Sequence, residues 1–416
     1  MRGSLAPLRH RVFRYFLAAR LCTLLASAVA PIAVAFAVRD VSASPAALGL
    51  VLASRTTPMV LLVLFGGVVA DRLRRDLVLV TSNVICMATQ AVAAGLLLSG
   101  VADVWQIAAI EAVNGAAAAF SFPALQGIMP QLVARDELQQ ANALNGMVRN
   151  VTLIGGGVLG GVIVGFLGPG WGLAINAVMY GAAALLIAQL RFGDRPAEQS
   201  TSRSTLHDLR AGWREFTARR WVWVIVLAFG FINAAIAGAI HTLGPVIADQ
   251  SFGRVGWGTL QSATGVGLVL GAVVMLRWRP QRPLVVGMLG IAFEAPLMVM
   301  LGLDPSLVPL LLLGVLAGVG SDLFGIGWET SLQQHIPRDK LSRVASYDAL
   351  GSFVAMPVGQ LVAGPLASII GTERVIVGSG VLVGIVVALT LAEPSVRGLR
   401  RLDARAAEQA PAVTVG

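Results

Sequence analysis

The sequence predicts an all-α membrane protein whose twelve spanning helices form two six-helix halves, and three observations predict it. The first is composition: of 416 residues, 56% are hydrophobic and only 13% charged. A soluble domain carries roughly 25% charged residues, so too few ions remain to cover a water-exposed surface. Mean hydropathy is correspondingly high, at +0.77. The second is a series of twelve apolar runs, each near the ~20 residues that cross a ~30 Å hydrocarbon layer. The third is an internal repeat linking the two halves of the chain.

The runs fall at 14–38, 46–70, 77–99, 105–127, 147–167, 171–190, 221–245, 257–278, 284–303, 307–329, 346–370 and 374–392. They are continuous and about twice as long as the ten-residue alternating strands of an outer-membrane barrel. The first is not a cleaved signal peptide, because no small-residue cleavage site follows it and the next span begins within a few residues. Basic residues set the orientation. Of 31, 26 lie in the segments on the side of the termini, and only Arg39, Arg254 and Arg374 lie in the opposite loops. The bias predicts a multi-pass membrane protein with both termini cytoplasmic. The net charge of +9 and pI near 10.9 then reflect cytoplasmic loops and not a nucleic-acid surface. Arginine supplies all the basic residues except Lys340, a pattern of genomic base composition. Trp105, Trp171, Trp257 and Trp221 stand at span ends and read as interfacial anchors.

The longest connection divides the chain. Residues 1–190 form the N-terminal six-helix lobe, 191–220 a cytoplasmic linker, 221–392 the C-terminal lobe and 393–416 a cytoplasmic tail. Within the linker, Leu206, Leu209, Trp213 and Phe216 recur at helical spacing, predicting an amphipathic helix on the inner membrane face. The repeat is carried by Gln131-Leu-Val-Ala-Arg135-Asp136-Glu137-Leu138, which aligns with Gln334-His-Ile-Pro-Arg338-Asp339-Lys340-Leu341. The same offset carries Gly156 onto Gly359 and Gly161 onto Gly364. Gly66, Arg72 and Arg74 map onto Gly271, Arg277 and Arg279. Repeated six-helix halves of this kind build secondary transporters.

Other classes are set aside by what is missing. Cys22 and Cys86 lie in apolar runs and build no disulfide framework, zinc ribbon or iron–sulfur site. His10, His207, His241 and His335 show no metal-ligand spacing, so no metal and no cofactor are expected. No nucleophile–base motif or P-loop is present, and the chain is not expected to be an enzyme. The formal G-x-G-x-x-G beginning at Gly155 lacks a surrounding βαβ unit. Gly156, Gly157, Gly160 and Gly161 instead read as a packing motif that lets helices approach closely, with Gly165 extending the ladder.

At the second connection stands Gly67-Val-Val-Ala-Asp71-Arg72-Leu-Arg74-Arg75. It resembles the loop signature of the major facilitator superfamily, with Leu73 where that signature has glycine. The junction Ser121-Phe-Pro123 through Asn142-Ala-Leu144 is similar to the superfamily's bacterial drug and siderophore exporter branch. The glycine run sits where the superfamily's antiporters carry their fifth-helix motif, with Gly157 in place of proline. The resemblance implies a two-lobed fold, and a conformational latch formed by Gly67, Asp71, Arg72, Arg74 and Arg75. It also implies a central cavity lined by the first, fourth, seventh and tenth helices.

Each of those four helices carries one ionisable group: Arg20, Glu111, His241 and Asp322. Charges within spans are costly and are functional candidates by default. Arg55 lies mid-span in the second helix, while Glu294 belongs to a peripheral helix and reads as structural. Arg20 and Asp322 suit either a lobe-to-lobe ion pair or a substrate contact. Glu111 has no cation near it in sequence, and an unpaired carboxylate there would suit proton exchange. Should Arg20, Arg55 or His241 reach it, that argument lapses. The function expected is proton-coupled export of a small amphiphilic compound by alternating access. The partners are the substrate, protons and the lipid bilayer, without nucleic acid, and the chain is expected to be monomeric. The alternatives are an uptake symporter and a transport-inactive membrane sensor or scaffold.

Overall fold

The computed structural model describes residues 6–72, 74–126, 128, 132–133, 137–190, 213–214, 216–336, 344, 347–348 and 350–402. Twelve long helices make up the body: α1 (Arg11–Val41), α2 (Pro45–Arg72), α3 (Arg75–Leu98), α4 (Val104–Gln126), α5 (Leu138–Leu167) and α6 (Pro169–Ala188). The second set is α7 (Arg220–Gln250), α8 (Gly253–Arg277), α9 (Pro283–Leu303), α10 (Leu307–His335), α11 (Leu350–Ile370) and α12 (Thr372–Ala392). Among the described residues, eleven are long and apolar enough to cross a membrane. α4 has 23 residues and carries Gln106, Glu111 and Asn114 within its apolar run. No strand occurs among the described residues. The outer surface is apolar, with Phe166, Leu276 and Ile369 about four-fifths exposed, as lipid contact requires.

Several helices extend past the apolar runs, α1 from Arg11 and α5 from Leu138, because the helix continues beyond the hydrocarbon layer. Interruptions follow proline. Pro296 and Pro357 have no N–H to give the carbonyls of Ala292 and Phe353, and turns fall at 292–293 and 354–355. In α7 the ladder slips to a π-turn over Ala237–Leu243, where the Thr242 hydroxyl donates to the Ala237 carbonyl at 2.9 Å. The linker is described only from residue 213, and there Trp213 and Phe216 pack on Tyr347 at ring distances of 5.5 and 5.9 Å. That end therefore docks against the second half of the chain, and the rest of the expected amphipathic helix lies outside the described residues. Trp221 and Trp257 are also core residues and not the anchors expected. Trp221 packs edge-on against Trp328, and Trp257 lies against Gly244. Trp105 and Trp171 are exposed at their helix starts.

The repeat is visible in the packing. α2 lies on α4 and α8 on α10; α3 lies on α6 and α9 on α12; α1 packs on α5 and α6 as α7 does on α11 and α12. The glycines matched in sequence make matching contacts. Gly156 of α5 faces Ala28 of α1, and Gly359 of α11 faces Ala234 of α7. Gly161 crosses to Gly258 of the other half, and Gly364 crosses to Ala46. A methyl at any of these four positions would crowd its neighbour. Gly168 and Gly371 take φ of 87° and 96°, a left-handed conformation that suits glycine, and each joins two helices in a one-residue turn.

The halves meet along α2–α11 and α5–α8, and both seams are anchored towards the end away from the chain termini. There Gly157, Gly161 and Gly165 approach Gly258, Arg254 and Val255, and the Val158 amide donates to Ser262 Oγ at 2.7 Å. An ionic cluster spans the same end. Arg254 pairs with Asp40 of the other half and, at 3.3 Å, with Asp249; Arg39 reaches Asp249 across the seam at 3.7 Å. Arg254 also lies 4.9 Å from the Phe36 ring. The half of the molecule nearer the termini holds the cavity described next.

Candidate substrate and coupling site

Glu111 is brought into a polar node between α2, α3 and α4. Its Oε2 accepts from Arg55 Nη1 at 3.1 Å. Its Oε1 accepts from Gln90 Nε2 and Asn114 Nδ2, each at 3.1 Å, and Asn114 Oδ1 accepts from Thr89 at 2.7 Å. The Glu111 side chain is 3% exposed, that of Arg55 26%. The premise of an unpaired carboxylate therefore fails: 56 residues separate the two charges in sequence, yet the close α2–α4 approach joins them. That approach depends on Gly115, whose missing side chain leaves room for the Arg55 backbone. The node is a charge-assisted pair with its remaining acceptor capacity satisfied, as a carboxylate buried in a membrane requires.

Arg55 also faces a cavity of about 290 Å³ lined by α1, α2, α3, α4 and α6. Arg20, Asn83, Asn114, Ser121 and Tyr180 supply its other main polar lining, and Phe16, Leu24 and Leu125 supply apolar wall. Among the described residues Arg20 has no hydrogen-bond or ion-pair partner. The charge acting on it is the like charge of Arg149 on α5. Arg149 also acts across the cleft on Asp322 of α10. No Arg20–Asp322 ion pair forms in this state, and Asp322 Oδ2 is buried without a partner. His241 lies in the π-turn of α7 and is exposed, outside the lining of this cavity. A π-turn is a frequent companion of function. Glu294 is buried, accepts from Ser321 at 3.2 Å and does not line this cavity.

α2 ends at Arg72, but the side chains of Gly67, Asp71, Arg72 and Arg75 lie outside the described residues. Arg74 makes a two-pronged pair with Asp76, at 2.8 and 3.3 Å. In the glycine motif, Gly156 and Gly160 face α1, whereas Gly157 and Gly161 face α8. Sequence reading missed Gln90, Asn83 and Tyr180. Leu79, Asn83, Cys86 and Gln90 follow a four-three-four spacing along α3, and that polar stripe on an apolar helix was the available signal.

Residues 2–306 match the family model described as transmembrane secretion effector. Relatives similar to this chain include the enterobactin exporter EntS of Shigella dysenteriae, 25% identical over 398 residues and 92% of each chain. The same exporter of Escherichia coli O1:K1 is 25% identical over 401 residues, again 92% of each. Among solved structures, a mutant form of the nucleoside transporter NupG superposes with a TM-score of 0.76 at 14% identity, covering 92% of this chain and 99% of that one. A bacterial homologue of the lysosomal transporter Spinster, inward-facing and occupied, gives 0.70 at 15% identity, covering 92% and 96%. These structures share the fold.

Proposed function

Since the chain belongs to the transmembrane secretion effector family of major facilitator transporters, we propose that it exports a small amphiphilic organic compound from a bacterial cytoplasm in exchange for protons. It is a multi-pass membrane transporter and not an enzyme. One observation carries the proposal: a cavity lined by two arginines lies in the half of the molecule nearer the termini, while the ionic cluster ties the lobes at the other end. With the termini cytoplasmic, as the arginine distribution argues, this is a state open to the inside and ready to load from the cytoplasm. Similarity to named exporters along 92% of the chain supports the direction.

In this reading Glu111 and Arg55 couple transport to protons. Protonating Glu111 removes the partner charge and frees Arg55, which already faces the cavity, so proton and substrate compete for the same guanidinium. Release outside follows when the far-end cluster opens and the lobes rock about the cavity. Asp71 and its basic neighbours would latch the cytoplasmic side in that second state, by resemblance to the superfamily loop. The test compares culture supernatants and drug susceptibility of a deletion strain, its parent and a complemented strain. At least one organic compound should fall in the supernatant and rise in the cells on deletion, or susceptibility should increase. Identical profiles in all three strains would refute export.

A further inference from the structure

The cavity of the N-terminal half carries an uncompensated positive charge. Arg20 and Arg55 both line it; Glu111 neutralises Arg55 from behind, and among the described residues no carboxylate pairs with Arg20. Arg149, the charge that acts on Arg20, has the same sign, and among the described residues Asp322 pairs with neither arginine. A lone guanidinium within a membrane span is disfavoured unless an anion or water meets it. The space in front of it is also lined by the hydroxyl groups of Ser27, Ser82 and Tyr180. Its other wall is apolar, from Phe16, Leu24 and Leu125. At about 290 Å³ it lies at the small end of ligand pockets, enough for one ring with its acidic group and not for a large macrocycle.

We propose that this cavity is an anion subsite: it receives the carboxylate or other ionised head of an organic acid, with Arg20 as the ion partner and the apolar wall holding the adjoining ring or chain. The inference rests on the export reading for its physiological role and names the substrate class as amphiphilic organic acids. A larger substrate would place its acidic group here and extend into the cleft between the lobes. Arg20 suits the role because its planar fork can take a carboxylate through two parallel bonds.

The test is calorimetric titration of the purified full-length chain in detergent with benzoate, with the uncharged benzamide as shape match and chloride as inorganic competitor. Benzoate should bind saturably and about tenfold or more tighter than benzamide, a discrimination of about 1.4 kcal/mol. Arg20→Gln should weaken benzoate about tenfold or more while leaving benzamide unchanged, and Arg20→Lys should retain part of the affinity. Ala118→Phe, which fills the cavity without touching a charge, should abolish binding and decides the matter if Arg20→Gln does not fold. Excess chloride should compete only weakly. The proposal is overturned if benzoate does not bind, if benzamide binds equally, if Arg20→Gln and Ala118→Phe bind as the wild type does, or if chloride displaces benzoate at equal concentration. Failure here with export intact would leave the export reading standing with a different substrate class. Arg20-dependent binding by a protein that moves nothing would refute export and keep the subsite.

Discussion

Replacing Arg254 by glutamine should open the far end of the lobe interface. Arg254 holds Asp40 across the seam and Asp249 within its own half, and its guanidinium rests 4.9 Å from Phe36. The side chains of Arg254, Asp40 and Asp249 are 23%, 41% and 27% exposed, so water screens them substantially. A screened pair contributes about 0.2–1 kcal/mol, and the cation–π contact about 0.5–1 kcal/mol. Without Arg254, Asp40 and Asp249 also face each other with only Arg39 nearby. Together these set the loss at about 1–2 kcal/mol, a factor of roughly 5–30 in the balance between closed and open far ends. The assay is a spin-label distance measurement between Ala43→Cys and Gln250→Cys, both exposed, in a Cys22→Ser/Cys86→Ala background. Arg254→Gln should raise the ratio of long to short distances by that factor. Salt at about 1 M, where the screening length is about 3 Å, should shift the wild type in the same direction. A distance distribution unchanged by both the substitution and salt would refute an electrostatic closure.

Glu111→Gln should abolish proton-driven flux and keep substrate exchange. It should also cost about 3–5 kcal/mol of stability by leaving Arg55 uncompensated, whereas Arg55→Gln/Glu111→Gln should unfold at a higher temperature than Glu111→Gln alone. Gly157→Ala would put a methyl carbon 2.6 Å from Ser262 Oγ and 2.7 Å from the Gly258 carbonyl oxygen. The overpacking should cost about 1–3 kcal/mol, visible as easier far-end opening with the same spin labels. Asp71→Asn should lower transport at normal protein level, because an amide holds a helix terminus or an arginine more weakly than a carboxylate does; unchanged transport would return Asp71 to a solvated loop. Reporter fusions at Asp208 and after Arg405 should report cytoplasm and one at Asp304 the outside, and opposite readings at the two ends would break the orientation.

The number and order of the helices were legible because a bilayer demands long apolar runs, and the pairing of Gly156 with Gly359 and Gly161 with Gly364 was legible as a repeat. What a single line of sequence cannot display is which faces meet. Arg55 and Glu111 are far apart along the chain, and only the α2–α4 contact at Gly115 makes them a pair. Arg39 and Arg254 looked like exceptions to the charge bias. Folded, they are the cationic half of a cross-lobe cluster whose anionic half, Asp40 and Asp249, sits close to each in sequence. Trp221 and Trp257 misled because an aromatic at a span end fits an interface as well as a core, and only the neighbouring helix decides. The π-turn at His241 did leave a mark, in Pro245, which has no N–H to give the His241 carbonyl.

Flux in oriented membrane vesicles tests the central claim most directly. Everted vesicles carrying the protein would be energised by respiration, which acidifies their interior, and offered the compound identified from the deletion strain. The account predicts accumulation inside everted vesicles, its loss on adding a protonophore, and no accumulation in energised right-side-out vesicles. Accumulation confined to right-side-out vesicles would make the protein an importer. Protein-independent movement in both orientations would contradict transport by this chain altogether.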